Sequence, residues 1–293
     1  MAVSLIGWIL TLAFAGHLVV DPVAFPLGPL AVRWYGLFIA LTIGIGLPWF
    51  LRRALARGID GALAERAAWW GVVVGVVGAR LLYVLQNLDV FGANPVLILA
   101  VQDGGLSIHG ALLGGIVAVA TVTRFQARTF WSIADAIVPP LLLGMILGRF
   151  GNFTNHELFG PPTDVAWKMF VPLQDRPVGS QEEAFYHPTF LYDAILNTVV
   201  LLILLTLERS VISAPGSPSR WRSRLLGDGG GVPGQLFLLF IAGISLTRFI
   251  VEFWRLGDTT ALGLSPAQLV SLLLFASAGA LLGLVRLGRS KLP

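Results

Sequence analysis

Long apolar segments recur along the chain and are separated by shorter polar ones. Each apolar segment is close to the ~20 residues that a helix needs to cross the hydrocarbon core of a bilayer. The pattern therefore predicts an all-α polytopic membrane protein with seven core transmembrane helices. Their predicted bounds are 34–51, 67–86, 105–123, 130–148, 188–208, 233–252 and 264–285.

An eighth apolar stretch, residues 3–20, lies ahead of these spans and ends before Pro22. It fits three structures: an additional span, a helix lying in the membrane interface, or a signal peptide with Ala13 and Ala15 near its cleavage site. A signal peptide normally opens with a basic segment, and none is present here, which argues against the third.

Composition supports a membrane protein. Of the residues 56% are hydrophobic and 12% charged, and soluble domains carry roughly twice that charge. The chain has no cysteine, which excludes disulfides, thiolate metal sites and a cysteine nucleophile. The dispersed net charge of +4 suits an anionic membrane surface and gives little support to nucleic-acid binding. We predict two parts: an N-terminal apolar helix, 1–20, and a single transmembrane domain, 21–293.

Arginines set the predicted orientation, because basic loops stay on the cytoplasmic side of a membrane. The basic loops are 52–66, 124–129 and 208–232, and the C-terminal tail is also basic. All lie on one side of the seven spans, which puts the C-terminus in the cytoplasm. Segment 149–187 then forms an outer-face loop domain. Segment 210–232, rich in Ser, Gly, Pro and Arg, is predicted to be a flexible cytoplasmic linker.

Polar side chains collect in the outer halves of the spans, where burial of ionisable groups is costly and usually serves a function. Three of the arginines lie on the outer side, so topology does not explain them. The up-down order of the spans predicts that these side chains converge on one cavity facing the outer leaflet. They are Arg33, Tyr35, Arg80, Gln86, Ser107, His109, residues 149–157, His187, Tyr192, Asp193, Arg248, Glu252 and Arg255.

The segment 148–160, GRFGNFTNHELFG, is the densest part of this set. Arg149, Asn152, Asn155 and Glu157 lie within nine residues at the end of a predicted span. A guanidinium group flanked by carboxamides and a carboxylate can hold an anionic head group.

Several of the polar residues also have ordinary structural explanations. Arg248 and Glu252 are four residues apart on one helix face, so they fit a helix ion pair as well as an arginine held for a phosphate. His109 fits a hydrogen-bonded packing group as well as a proton acceptor. Tyr35 fits an interfacial anchor, and Asp193 fits a carboxylate favoured by the N-terminal dipole of a helix.

Seven motifs in order resemble the prolipoprotein diacylglyceryl transferase family, over about residues 20 to 272. Segment 148–160 is similar to the family signature G-R-x-G-N-F-x-N-x-E-x-x-G at every fixed position. The companions are D-P-V-A-F at 21–25, V-R-W-Y-G at 32–36, G-x-R-x-x-Y at 78–83, S-x-H-G at 107–110, H-P-x-x-L-Y-D at 187–193 and R-F-x-x-E-F-x-R at 248–255.

The resemblance implies transfer of the diacylglyceryl group of phosphatidylglycerol to the lipobox cysteine thiol of a prolipoprotein signal peptide, in the bacterial inner membrane. No metal and no organic cofactor is implied, and the expected partners are these two substrates and membrane lipids, with no nucleic acid. The implied catalytic residues are His109, Arg149 and Arg248. His109 is the best base by residue type, and the alternative is a nearby arginine that lowers the pKa of the substrate thiol without a dedicated base. The implied substrate-binding residues are Tyr35, Arg149, Asn152, Asn155, Glu157, Gly160 and Glu252.

Within this reading, Glu157 and Glu252 are expected to hold the arginines rather than to act as bases, because unpaired carboxylates would repel an anionic lipid. The chain departs from the family at Ile244 and Ser245, where Tyr-Gly is common, and at Ala111, where the third residue of H-G-G is glycine. A catalytically inactive lipid-binding or scaffold protein of the same fold is the alternative. A transporter would show internal repeats, and none is visible.

Overall fold

The computed structural model describes residue 14 and residues 19–28, 30–100, 105–212, 232–257, 260 and 263–289. Most of the N-terminal apolar stretch and of the linker 210–232 lies outside these residues, so both predictions stay predictions. The described α-helices are α1 (Trp34–Ala56), α2 (Gly61–Gln86), α3 (Leu88–Ala93), α4 (Ile108–Val122), α5 (Ala127–Thr154), α6 (Thr189–Ile212), α7 (Gln235–Val251) and α8 (Pro266–Arg289).

Six of these helices, α1, α2, α5, α6, α7 and α8, are long and apolar enough to cross a membrane. This confirms a mostly helical, multi-pass membrane protein. The span predicted at 105–123 is represented by α4, which has 15 residues and is shorter than the other six. The count of seven spans therefore stays a prediction.

Two small antiparallel sheets were not predicted. β1 (Val23–Leu27) and β2 (Leu30–Arg33) form a hairpin that runs directly into α1. β3 (Met169–Phe170) pairs with β4 (Phe185–Tyr186) in the segment between α5 and α6. Strands of two to five residues are too short to give a clear alternating pattern, which is why the apolar periodicity missed them.

The β3–β4 segment packs onto helix ends through a compact hydrophobic cluster. Met169, Val171 and Tyr186 of this segment are buried together with Phe153 of α5 and Phe190 of α6. Phe153 and Phe190 stack, with ring centres 5.1 Å apart. The segment is thereby fixed on the end of α5, which carries predicted site residues, and on the start of α6.

The chain divides into two compact units, with boundaries inside α1 and α5. The first comprises Met1–Gly46 and Val138–Pro293, and the second comprises Leu47–Ile137. In the first unit, α5, α6 and α7 share a core that includes Leu142, Leu204 and Phe240. This core brings the C-terminal ends of α5 and α7 to the N-terminal end of α6.

In the second unit, α2 and α4 approach each other at glycines. A methyl group on Gly78 would overlap the Gly110 backbone and lie 3.2 Å from Gly114 Cα. Small residues at a helix interface permit such close backbone approach in a membrane. Contact between the two helices therefore depends on these three glycines.

Candidate active site

One carboxylate oxygen at the start of α6 joins two arginines, one on α5 and one just beyond α7. Asp193 Oδ2 lies 2.7 Å from Arg255 Nη2 and 3.4 Å from Arg149 Nε. The Asp193 side chain is 3% exposed. A position near the N-terminus of α6 also suits the helix dipole, but the two guanidinium partners give this carboxylate a further role. Asp193 ties the end of α5 to the end of α7.

A second carboxylate holds two arginines on and beyond α7. Glu252 Oε2 is 2.9 Å from Arg248 Nη2 and 3.9 Å from Arg255 Nε. The Ser265 hydroxyl donates to Glu252 Oε1 at 3.0 Å, and Gln268 Nε2 donates to the Phe249 carbonyl at 3.4 Å. The helix ion pair anticipated between Arg248 and Glu252 is present. Glu252 also has the role of holding arginines that the sequence suggested.

Glu157 contacts Arg149, the arginine it was expected to hold, only through the side chain of Asn152. Its Oε1 accepts from Asn152 Nδ2 at 2.9 Å and from Asn155 Nδ2 at 3.3 Å. Asn152 Oδ1 in turn accepts from Arg149 Nη1 at 3.2 Å. Glu157 therefore orients two carboxamides, and one of them orients the arginine.

The chain turns sharply after α5 to make this geometry. His156 and Leu158 have φ of 52° and 56°, in the left-handed region. His156 Nδ1 lies 2.9 Å from Asp175 Oδ2, which ties the turn to the β3–β4 segment. The turn returns the Glu157 carboxylate toward the last turn of α5.

The resulting cluster holds three arginines and three carboxylates, those of Asp193, Glu252 and Glu157, and its arginines differ in exposure. Three guanidinium groups share the two carboxylates of Asp193 and Glu252. The side chains of Arg149 and Arg248 are 21% and 35% exposed, whereas that of Arg255 is 12% exposed. The two more open arginines can therefore take an anionic ligand while Arg255 stays with the carboxylates.

Tyr35 is brought to this cluster by close contact with α5. Its ring lies over Gly151, where a methyl group would be 2.9 Å from Tyr35 Cε2. The neighbouring Trp34 is 39% exposed and better fits the interfacial anchor that was considered for Tyr35. Tyr35 instead faces the helix that carries Arg149.

Gly160 allows three chain segments to meet beside the cluster. A methyl group there would lie 2.9 Å from both His187 Cβ and Thr189 Cγ2 and would overlap the Trp254 carbonyl. The Gly160 amide donates to the His187 carbonyl at 2.8 Å, and the Thr189 hydroxyl donates to the Leu158 carbonyl at 2.5 Å. The structure gives Gly160 a packing role, and its predicted contact with substrate stays a prediction.

Gly160→Ala is expected to reduce thermal stability and turnover together. Overpacking at a site without space costs about 1–3 kcal/mol, and it displaces the segment that carries Glu157. The matched control is Gly148→Ala, because a methyl group at Gly148 meets nothing within 4 Å. Melting temperature in detergent and rate of product formation would be measured for both. Equal behaviour of the two variants would contradict the packing role.

A hydrogen-bonded chain of aromatic side chains borders the cluster. Trp167 Nε1 donates to the Tyr192 hydroxyl at 2.7 Å, and that hydroxyl lies 2.9 Å from His187 Nδ1. Burial lowers the pKa of His187 below its ordinary value of 6.5. The indole N–H is a donor only, so the Tyr192 oxygen accepts from Trp167, and the Tyr192 hydroxyl shares a second hydrogen bond with His187 Nδ1. The chain fixes Tyr192 one residue before Asp193.

His109 and Arg80 belong to the second unit. His109 lies in the first turn of α4, and its side chain is exposed. Arg80 donates to backbone carbonyls, among them those of Ile98 and Gly105. Among the residues the structure describes, no three His, Asp or Glu side chains are grouped as metal ligands. The role of His109 as a base stays a prediction.

The departure from the family at Ile244 and Ser245 leaves Arg248 with its carboxylate partner. Ile244 packs against the core of α5, α6 and α7. Ser245 is buried, and its hydroxyl has no hydrogen-bond partner among the described residues. The polar contact to Arg248 comes instead from Glu252 on the same helix face.

Two residues of the cluster were seen in the sequence but left out of the predicted site. Asp193 was given a helix-end explanation, and Arg255 was noted only for its position on the outer side. Each is the last residue of a motif, H-P-x-x-L-Y-D or R-F-x-x-E-F-x-R. Their opposite charges at the ends of two helices were the available signal.

Comparison with known proteins agrees with these motifs. A family model for prolipoprotein diacylglyceryl transferase matches residues 22–284. The chain is 40% identical over 251 residues to the phosphatidylglycerol–prolipoprotein diacylglyceryl transferase of Thermosynechococcus vestitus, covering 85% of this chain and 87% of the relative. It is 36% identical over 281 residues to that of Parasynechococcus marenigrum, with 93% and 96% covered. The chain belongs to the prolipoprotein diacylglyceryl transferase family.

Proposed function

We propose that this protein transfers the diacylglyceryl group of phosphatidylglycerol to the lipobox cysteine thiol of prolipoproteins. The observation that best supports this function is the arginine cluster, in which two carboxylates hold three guanidinium groups and leave Arg149 and Arg248 partly exposed. The names of the relatives specify the same donor lipid and acceptor protein. An anionic head group is the ligand such a cluster suits.

The reaction exchanges one bond at a glyceryl carbon. A thiolate attacks the carbon that carries the phosphodiester oxygen. A C–S bond forms as the C–O bond breaks, and the electron pair leaves on the phosphate oxygen. The products are a thioether-linked diacylglyceryl peptide and glycerol phosphate. The leaving group is already a stable anion, so the chemistry requires no metal or organic cofactor.

Arg149 and Arg248 would bind the phosphate and stabilise the charge that develops on it. Preorganised donors aimed at developing charge commonly account for the largest part of such catalysis. Asp193, Glu252 and Asn152 fix the two guanidinium groups before the lipid arrives. Little reorganisation is then needed when the C–O bond breaks.

Asn155 supplies a feature suited to the glycerol of the head group. Its Nδ2 faces the Glu157 carboxylate, so its Oδ1 points elsewhere and has no partner among the described residues. A buried carbonyl oxygen without a donor is costly, and a glycerol hydroxyl would satisfy it. We assign to this oxygen a part in selecting phosphatidylglycerol over head groups that lack a hydroxyl.

The thiol proton requires an acceptor, since a cysteine thiol is mostly protonated near neutral pH. His109 has the appropriate chemistry for this step. The protein is proposed to lie in the bacterial cytoplasmic membrane, with the site toward the outer leaflet and the C-terminus in the cytoplasm. The translocated peptide would then meet the site beside segment 149–187.

The test combines purified protein, phosphatidylglycerol and a synthetic lipobox peptide in a membrane mimic where a homologue is active. Mass spectrometry should show a peptide with a thioether-linked diacylglyceryl group. Two control reactions should give no product. One replaces phosphatidylglycerol with phosphatidylcholine as donor, and the other uses an acceptor peptide with Ser in place of Cys. Binding of phosphatidylglycerol without any product would favour the inactive lipid-binding alternative.

A further inference from the structure

Arg80 on α2 binds backbone rather than an open ligand site. Its Nε donates to the Ile98 carbonyl at 2.8 Å and its Nη1 to the Gly105 carbonyl at 2.9 Å. Its Nη2 donates to the Leu97 carbonyl and, at 3.3 Å, to the Ala100 carbonyl. One guanidinium group therefore gathers four carbonyls from the chain between α3 and α4. A planar fork of donors is required for this, and an ammonium group cannot reproduce it.

Aromatic rings and a glycine enclose this guanidinium group. Its central carbon lies 5.1 Å from the ring centre of Phe91 and 5.9 Å from that of Tyr83. Gly105 has φ of 75°, and a methyl group there would be 2.6 Å from both Arg80 Nη1 and Tyr83 Cε1. The contact leaves no space for a side chain at position 105, and Arg80 is only 9% exposed.

Gly105, whose carbonyl accepts from Arg80, lies three residues before the first residue of α4. The amide of Ser107, the N-cap residue, donates to the Ala79 carbonyl at 2.9 Å. The preceding residue of α2, Gly78, is in backbone contact with Gly110, about one turn into α4. Three consecutive residues of α2 thus fix the beginning of α4. His109 lies in the first turn of that helix.

We propose that Arg80 is a positioning residue for His109. By gathering the carbonyls of residues 97, 98, 100 and 105, it fixes where α4 begins and therefore where the imidazole group lies. This proposal rests on the proposed function, in which His109 takes the thiol proton. It removes Arg80 from the group of outer arginines that meet the anionic lipid.

Kinetics separate a positioning residue from an anion-binding one. In Arg80→Lys, kcat is expected to fall about 10- to 100-fold, because a displacement near 1 Å can cost that much. The KM for phosphatidylglycerol should stay within about twofold, since the phosphate contacts remain intact. A raised KM with unchanged kcat would place Arg80 in the anion site and overturn the proposal.

The matched control is Arg53→Lys. Arg53 is also a buried arginine of the second unit, and it donates to the Ala136 and Asp135 carbonyls at 2.9 and 3.2 Å. Both carbonyls belong to α5, not to the segment at the start of α4. Arg53→Lys should leave kcat within about twofold of the parent, as expected for a change without transition-state contact. An equal loss in both variants would mean that any buried arginine of this unit has the same effect, against the proposal.

A double-mutant cycle shows whether Arg80 acts through His109. In the His109→Asn background, Arg80→Lys should lower the residual rate by less than about threefold, because the two changes act on the same step. Fully additive losses would show that Arg80 affects the rate by another route and would contradict the proposal.

A spectroscopic readout does not depend on turnover. The chain has no cysteine, so a spin label at Leu106→Cys, an exposed position, is unique. Arg80→Lys should increase label mobility, and Arg53→Lys should not. Gly105→Ala disturbs the same contact from the other side and replaces Arg80→Lys if that variant does not fold. If label mobility is unchanged in the variants that fold, the positioning proposal is wrong. If the parent protein is inactive but the label mobilities are as expected, only the proposed function is wrong.

Discussion

We expect turnover to fall about 100- to 1,000-fold in Arg149→Ala, because this substitution removes one preorganised hydrogen-bond donor from the transition state. Arg149 is held by Asp193 and Asn152, and its side chain remains partly open. Arg149→Lys should recover part of the rate, since it restores charge without the planar fork. The measurement is kcat and KM with phosphatidylglycerol in mixed micelles.

Stability provides the control for this experiment. Asp193 keeps its 2.7 Å partner Arg255 when Arg149 is removed, so the loss of rate should exceed any loss of thermal stability. Arg52→Ala, which removes an exposed arginine in the C-terminal part of α1, should leave both quantities unchanged. Near-normal turnover in Arg149→Ala would show that the anion-site assignment is wrong.

Asp193→Asn should destabilise the protein more than any other single substitution in the cluster. Removing one partner of a buried ion pair costs about 3–5 kcal/mol, because the remaining charge is left uncompensated. Here two guanidinium groups, those of Arg149 and Arg255, lose the same oxygen. We expect a large fall in melting temperature in detergent and a loss of turnover, since Arg149 is no longer oriented.

Asp164→Asn is the matched control for this substitution. Asp164 also forms an ion pair, 3.1 Å from Lys168 Nζ, but its side chain is fully exposed. Exposed pairs contribute little because water and salt screen them, so the melting temperature should not change measurably. If Asp193→Asn melts as the parent does, Asp193 is not the residue that joins the helices.

The apolar pattern predicted the long helices because it reports which segments a membrane can accommodate. It placed α1, α2 and α5 to α8, and the polar signature at the end of α5, without reference to any partner. The apolar pattern does not show which charged side chains pair across the fold. Asp193 and Arg255 are 62 residues apart, and nothing local in either helix records that they meet.

The contacts of Arg80 also could not be predicted from the sequence. The sequence grouped it with the outer arginines because charge and depth were all that could be read. Its partners are main-chain carbonyls between α3 and α4, and a carbonyl has no signature in an amino-acid sequence. The strands β1 to β4 were missed for a related reason, since their pairing is visible only once the chain has folded back on itself.

The length of α4 bears on the depth at which the chemistry occurs. Its 15 residues rise about 22 Å at 1.5 Å per residue, which falls short of the ~30 Å hydrocarbon core. Its C-terminal end leads into the turn at Arg124, a residue suited to the charged cytoplasmic surface. In the proposed topology the shortfall lies at the other end, which follows the carbonyls that Arg80 binds. The proposed topology would then put His109 below the head groups, at the depth of the glyceryl carbons of a phospholipid.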